Sequence, residues 1–209
     1  MATKNGSSCA VLAAALAFIL VFSVHAGAQT TATWTGGAGT TSYNTPGNWD
    51  IGVVPINTGT DTYSVIIGAN VTVDYDVPDG GGGSSAITQL SLAAGSTINL
   101  QGRNLAVLDS AAIAGKITAT SGSLTASHLA SSLSGNRVVL QVNTSANPAD
   151  SATITLNASG TYAATNSAVG NTSILSASGS NAQISLPFLS SIDSYVDHWG
   201  VNTRTISAT

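Results

Sequence analysis

Val71-Thr-Val-Asp-Tyr-Asp-Val77 alternates apolar and polar residues at every step. Val71, Val73, Tyr75 and Val77 face one way; Thr72, Asp74 and Asp76 face the other. A period of two predicts a half-buried β-strand. Just upstream, Tyr63-Ser-Val-Ile-Ile67 is a short apolar run that predicts a buried strand. Just downstream, Asp79 and the glycines at 80–83 break the chain into a loop or boundary.

The same grammar continues outward. Ile87/Leu90/Leu92, Ile98/Leu100, Leu105/Val107, Ile113, Ile117 and Leu124 are separated by turn residues such as Gly95-Ser96, Gln101-Gly102 and Ser121-Gly122. Later pieces are Val138–Val142, Ala152–Leu156, Tyr162–Ala164, Ile174–Ala177 and Ile184–Leu189. Nothing after residue 28 holds a 3.6-residue period over three turns, so the chain reads as all-β. Two architectures use many short strands at short intervals. One is a β-sandwich. The other is a right-handed parallel β-helix, a β-solenoid whose successive coils stack. Small aliphatics, short strands and the lack of any aromatic from residue 76 to 161 favour the solenoid, with the sandwich as the alternative.

Composition agrees. Only 7% of the 209 residues are charged, against about 25% in an ordinary soluble protein. Every acid is Asp, and Lys is nearly absent, so two strong helix formers are replaced by Thr, Ser, Val, Gly and Asn. The formal net charge is −4. A few scattered cations cannot replace phosphate counterions, which argues against nucleic-acid binding and against a polybasic membrane anchor. The single cysteine, Cys9, lies near the N-terminus, so the rest of the chain has no disulfide.

That N-terminus has the form of an export signal. Lys4 precedes the apolar run Val11–Val24, and His25-Ala-Gly-Ala28 offers a small-residue cleavage site after Ala28. The run is shorter than the roughly 20 residues a bilayer span needs. The expected organisation is a signal-peptide helix over 1–28, an N-terminal cap with the first strands over 29–83, and solenoid coils over 84–209. No membrane contact is expected of the mature chain.

Trp34-Thr-Gly-Gly-Ala-Gly39, Pro46-Gly-Asn-Trp-Asp50, Gly52-Val-Val-Pro55 and Val65-Ile-Ile67 succeed one another in order. This series resembles the N-terminal cap of bacterial exported β-helix surface proteins, of the autotransporter-passenger and PEP-CTERM kinds. Tyr43 stands where a further Trp is often seen. The resemblance implies a capped solenoid, extracellular or at the cell surface, acting as a stalk, matrix component or adhesin. Extracellular polysaccharide or other surface proteins are the partners it implies. The chain ends in Arg204-Thr-Ile-Ser-Ala-Thr209, which reads as the middle of a strand. The natural protein is therefore expected to continue past Thr209.

Candidate chemistry is sparse. Trp34, Tyr43 and Trp49 would stack on sugar rings if exposed, and would cover the first coil if buried. The alternative function is thus a glycan-binding module or a fragment of a carbohydrate-active β-helix enzyme. Asp74, Asp76 and Asp79 precede a glycine turn, as in oxygen-rich calcium loops, but the closing Glu is missing and Ser85 stands at the twelfth position. Asp193, Asp197, His198 and Trp199 form the densest polar-aromatic cluster of the C-terminal half. A G-x-S-x-G elbow, a phosphate-binding loop with its Lys, and a zinc ligand set are all absent from the sequence. No cofactor is expected, and the leading expectation is a non-enzyme.

Overall fold

The computed structural model describes residues 28–79, 85–136, 138–145, 147, 149–165, 172–195 and 204–208. Of the expected signal peptide at 1–28, residues 1–27 lie outside them. Fifteen strands among the described residues join in one hydrogen-bonded network, and no α-helix occurs there. No helix among those residues is long and apolar enough to cross a membrane.

Every pairing between named strands is parallel. β1 (Gln29–Thr33) pairs with β2 (Thr62–Ile67), and β2 with β5 (Gln89–Leu92). β3 (Thr72–Tyr75) and β4 (Ser85–Ile87) both pair with β6 (Thr97–Val107). β5 pairs with β7 (Ala111–Ile113), and both β6 and β7 pair with β8 (Lys116–Asn136). β8 in turn carries β9 (Val139–Asn143), β10 (Ala152–Ala158) and β11 (Gly160–Thr165). β9 pairs with β12 (Thr172–Ser178), β10 with β13 (Ala182–Ser185), β11 with β14 (Leu189–Tyr195), and β12 with β15 (Arg204–Ala208). This overturns the sandwich alternative, whose sheets are antiparallel. The pairings β2–β5 and β3–β6 also cross the boundary expected at residue 84, so the cap and the later strands share one sheet.

The registers stack like on like. Val73, Ile98, Ile117, Leu140 and Leu175 stand in one column, all buried. Leu105, Leu124 and Ile154 form a second buried column, and Ile67, Leu92, Ile113 and Leu133 a third. A one-residue slip would turn a whole column outward, so burial of about 1.5–3 kcal/mol per aliphatic side chain fixes the register.

Two strands are longer than the sequence predicts, while β3 is shorter than the expected 71–77. Gln101-Gly102 and Ser121-Gly122 were expected to end strands; instead β6 runs 11 residues and β8 runs 21. Gly102 (φ 75) and Gly122 (φ 80) bend the strand and let it continue. At Gly122 a Cβ would stand 2.3 Å from the main-chain oxygen of Arg103. The residue therefore serves both the positive φ and the close approach of the neighbouring strand.

Candidate functional site

The first strands carry the densest set of specific contacts, built around the aromatic residues that the sequence singles out. The segment 35–48 folds back over the core through a 3-10 turn at Pro46–Asn48. Trp34 and Trp49 meet in an isolated antiparallel bridge. Their rings lie 5.1 Å apart at 86°. Tyr43 meets Trp49 at 4.7 Å and 65°, and Tyr75 at 4.9 Å and 70°. These are edge-to-face contacts, the favoured arrangement of ring quadrupoles.

Trp34 is 8% exposed, Trp49 3% and Tyr43 1%. Their faces are spent on one another and on the aliphatic columns beneath. The sugar-stacking expectation is corrected accordingly: Trp34, Tyr43 and Trp49 are interior packing. Two of the polar ring atoms have buried partners. Trp49 Nε1 donates to the Tyr43 oxygen at 2.8 Å, and Tyr43 Oη donates to the Pro55 oxygen at 2.9 Å. Burial, then the neighbouring Tyr75, pushes the Tyr43 hydroxyl pKa well above its ordinary value. Burial likewise raises Tyr75. The Tyr75 hydroxyl has no hydrogen-bond partner among the described residues.

Asn48 organises the fold-back. It is fully buried. Its Oδ1 accepts the Ala38 N–H at 3.1 Å, and its Nδ2 donates to the Ser42 oxygen at 2.9 Å and to Thr40 Oγ1 at 2.9 Å. Its main-chain oxygen accepts the N–H groups of Thr35 and Gly36. The sequence marks Asn48 only as half of an Asn-Trp pair. Its function as a hub depends on contacts six to thirteen residues away.

The three candidate calcium carboxylates are acceptors for three separate sets of donors. Asp74 receives the Thr41 hydroxyl, Asn99 Nδ2 at 2.8 Å and Gln101 Nε2 at 2.9 Å. Asp76 receives the Ser42 hydroxyl at 2.6 Å and the Asn44 N–H at 2.9 Å. Asp79 receives the Asn104 N–H and Nδ2, both at 3.1 Å. No group of three or more His, Cys, Asp or Glu among the described residues is placed to share an ion. The calcium candidate is thus corrected to a lacing of the cap and of neighbouring strands. Partial burial pushes the Asp74 carboxyl up, but its three hydrogen bonds outweigh this and hold it below the usual range.

The lacing repeats along the outward faces. Asn99 accepts the Thr118 hydroxyl, and Asn104 Oδ1 accepts the Ser123 hydroxyl at 2.8 Å. Ser64, Gln89 and Asp109 form a third polar chain, ending at His128, whose Nε2 stands 3.8 Å from Asp109. His128 Nδ1 accepts the Ala130 N–H at 3.2 Å. One ring nitrogen thus faces a carboxylate and the other accepts a backbone N–H. Asp193 lies on β14 opposite Ala163. Its companions Asp197, His198 and Trp199 lie outside the described residues.

Comparison with protein-family models, curated proteins and solved structures returned no match.

Proposed function

We propose that this chain is a non-enzymatic structural or adhesin-like protein of the cell surface or extracellular space, built as a right-handed β-solenoid behind an aromatic N-terminal cap. The observation that supports this reading most is the five-membered column Val73–Ile98–Ile117–Leu140–Leu175, running away from the buried Trp34/Tyr43/Trp49 cluster. Such stacked columns under one closed end are what an elongated stalk needs, because each layer contacts only its neighbours. Polar ladders of Asp, Asn, Gln and Thr along the outside favour a wet, sparsely charged exterior over a catalytic cleft. The leader-like Lys4/Val11–Val24/Ala28 segment supports export.

The test pairs two measurements. Cells making the chain are compared with cells lacking it for surface exposure to added protease and for attachment to polysaccharide-coated surfaces. Purified protein is then incubated with a panel of polysaccharides. The reading expects surface exposure, altered attachment and no turnover. Turnover of any polysaccharide overturns it.

A further inference from the structure

β1 starts at Gln29. The expected export cleavage, after Ala28, makes the same residue the first of the exported chain. The two boundaries meet with no tail between them. The new terminus is a glutamine whose α-amine begins a strand, and Gln29, Thr30 and Thr31 are all exposed.

The hydrogen bonds of β1 leave that amine free. The Trp34 N–H donates to the Ile66 oxygen at 2.9 Å, on the β2 side. Thr33 turns the other way: its N–H donates to Asp50 Oδ1 at 2.7 Å, and its oxygen accepts the Asp50 N–H at 3.0 Å. Successive residues of a strand alternate in direction. Counting back from Thr33 in twos, Gln29 directs its nitrogen away from β2. Gln29 stands opposite Thr62 in the register, yet rebuilding its nitrogen as an amide breaks no β1–β2 bond.

An α-amine has an ordinary pKa of about 7.7–8.0, so near neutral pH a sizeable share is unprotonated and nucleophilic. The side-chain amide of the same residue is an intramolecular electrophile for it. We propose that Gln29 closes on itself after export to give a pyroglutamyl terminus. The bond from the α-nitrogen to Cδ forms, the Cδ–Nε2 bond breaks, and the proton lost by the α-nitrogen leaves with Nε2 as ammonia. The step needs no oxidant, reductant or group donor. The lactam carries no charge and removes the free amine that an aminopeptidase grips. Trimming of β1 from its exposed end is thereby blocked. The inference rests on the export reading above, with cleavage after Ala28.

Intact mass and N-terminal peptide analysis test it, on the full chain made in an exporting host and recovered outside the cytoplasm. Samples are kept cold from harvest so that the ring does not close during handling. The expected terminus is residue 29, lighter by one ammonia than its sequence mass and closed to Edman degradation until pyroglutamyl aminopeptidase is added. Gln29→Ala should show an unshifted mass and open at the first Edman cycle; if it is not processed, Gln29→Ser takes its place. A terminus at Gln29 with full mass and a free amine overturns the lactam and leaves the export reading standing. A terminus at any other residue overturns the lactam and the cleavage together. A block that persists in the variant also overturns the lactam, because it cannot come from the glutamine side chain.

Discussion

The indole N–H of Trp49 donates to the main-chain oxygen of Tyr43 at 2.8 Å, while the two rings meet edge to face at 4.7 Å. Trp49 thus satisfies a buried carbonyl and packs against the ring of the same tyrosine. Trp49→Phe keeps a ring but strands the Tyr43 oxygen, at a cost of about 1–3 kcal/mol. Trp49→Ala also opens a cavity and should cost about 3–5 kcal/mol. Denaturant midpoints of the two variants should fall in that order; equal midpoints would show that the hydrogen bond carries the contact and the ring does not.

Asn48 should be less replaceable than any surface Asn. Asn48→Ala leaves the Ala38 N–H unpaired and the Ser42 oxygen with only the long Thr45 N–H bond at 3.4 Å, and should cost about 1–3 kcal/mol. Asn48→Asp should be worse, because the new carboxylate would face the Thr40 and Ser42 oxygens that now accept from Nδ2. Thermal unfolding of the three proteins side by side gives the order.

Acid should loosen the lacing through Asp74. Its folded pKa is lowered, so its stabilisation is present above the unfolded value of about 3.9 and is lost as pH falls through the folded value. Urea unfolding between neutral pH and strong acid should show a decline that is smaller in Asp74→Asn, which is less stable at neutral pH. Parallel pH profiles for the two proteins would remove Asp74 from the account.

Alkali acts by the opposite sign. Burial raises the hydroxyl pKa of Tyr43, Tyr75 and Tyr162. Stability from keeping them neutral is complete below the unfolded value of about 10 and is lost as pH rises toward the folded values. Tyr162 Oη also donates to the Val138 and Ile174 oxygens, bonds that ionisation would remove. The phenolate absorbance of these three should therefore appear together with unfolding. Tyr43→Phe or Tyr162→Phe should each remove one part of it.

Gly122→Ala should cost about 1–3 kcal/mol from its positive φ alone, with a further penalty because the Cβ would meet Arg103 main-chain atoms at 2.3 and 2.7 Å. Gly59→Ala, with open space around its Cβ and no positive φ, is the matched control and should be nearly silent in denaturant unfolding.

Alternation carried most of what the sequence could say. Val71–Val77 alternates, and Val73, Tyr75 and Val77 are indeed buried. Cross-strand polar partners were not legible, because Asp74 and Asn99 are joined only by the register of β3 on β6. β1 was missed altogether. Gln29-Thr-Thr-Ala-Thr33 has no apolar periodicity, and only pairing with β2 makes it a strand. Glycines misled in the opposite direction: Gly102 and Gly122 look like terminators, yet each lets a strand turn a corner. The aromatic cluster was visible as a set of residue types, but the burial of its rings is a tertiary fact, made by the fold-back of segment 35–48.

β8 runs unbroken from Lys116 to Asn136 and hydrogen-bonds to β6, β7, β9, β10 and β11. Its length is therefore close to invariant under mutation. A single codon inserted there would reverse the facing of the rest of the strand and pull the neighbours paired beyond it out of phase. Extra codons beside the exposed Gly59, in the connection before β2, would only enlarge a loop. Descendants of this gene should vary in size at such connections and hold β8 to a constant count, so insertions and deletions, more than substitutions, should record its history.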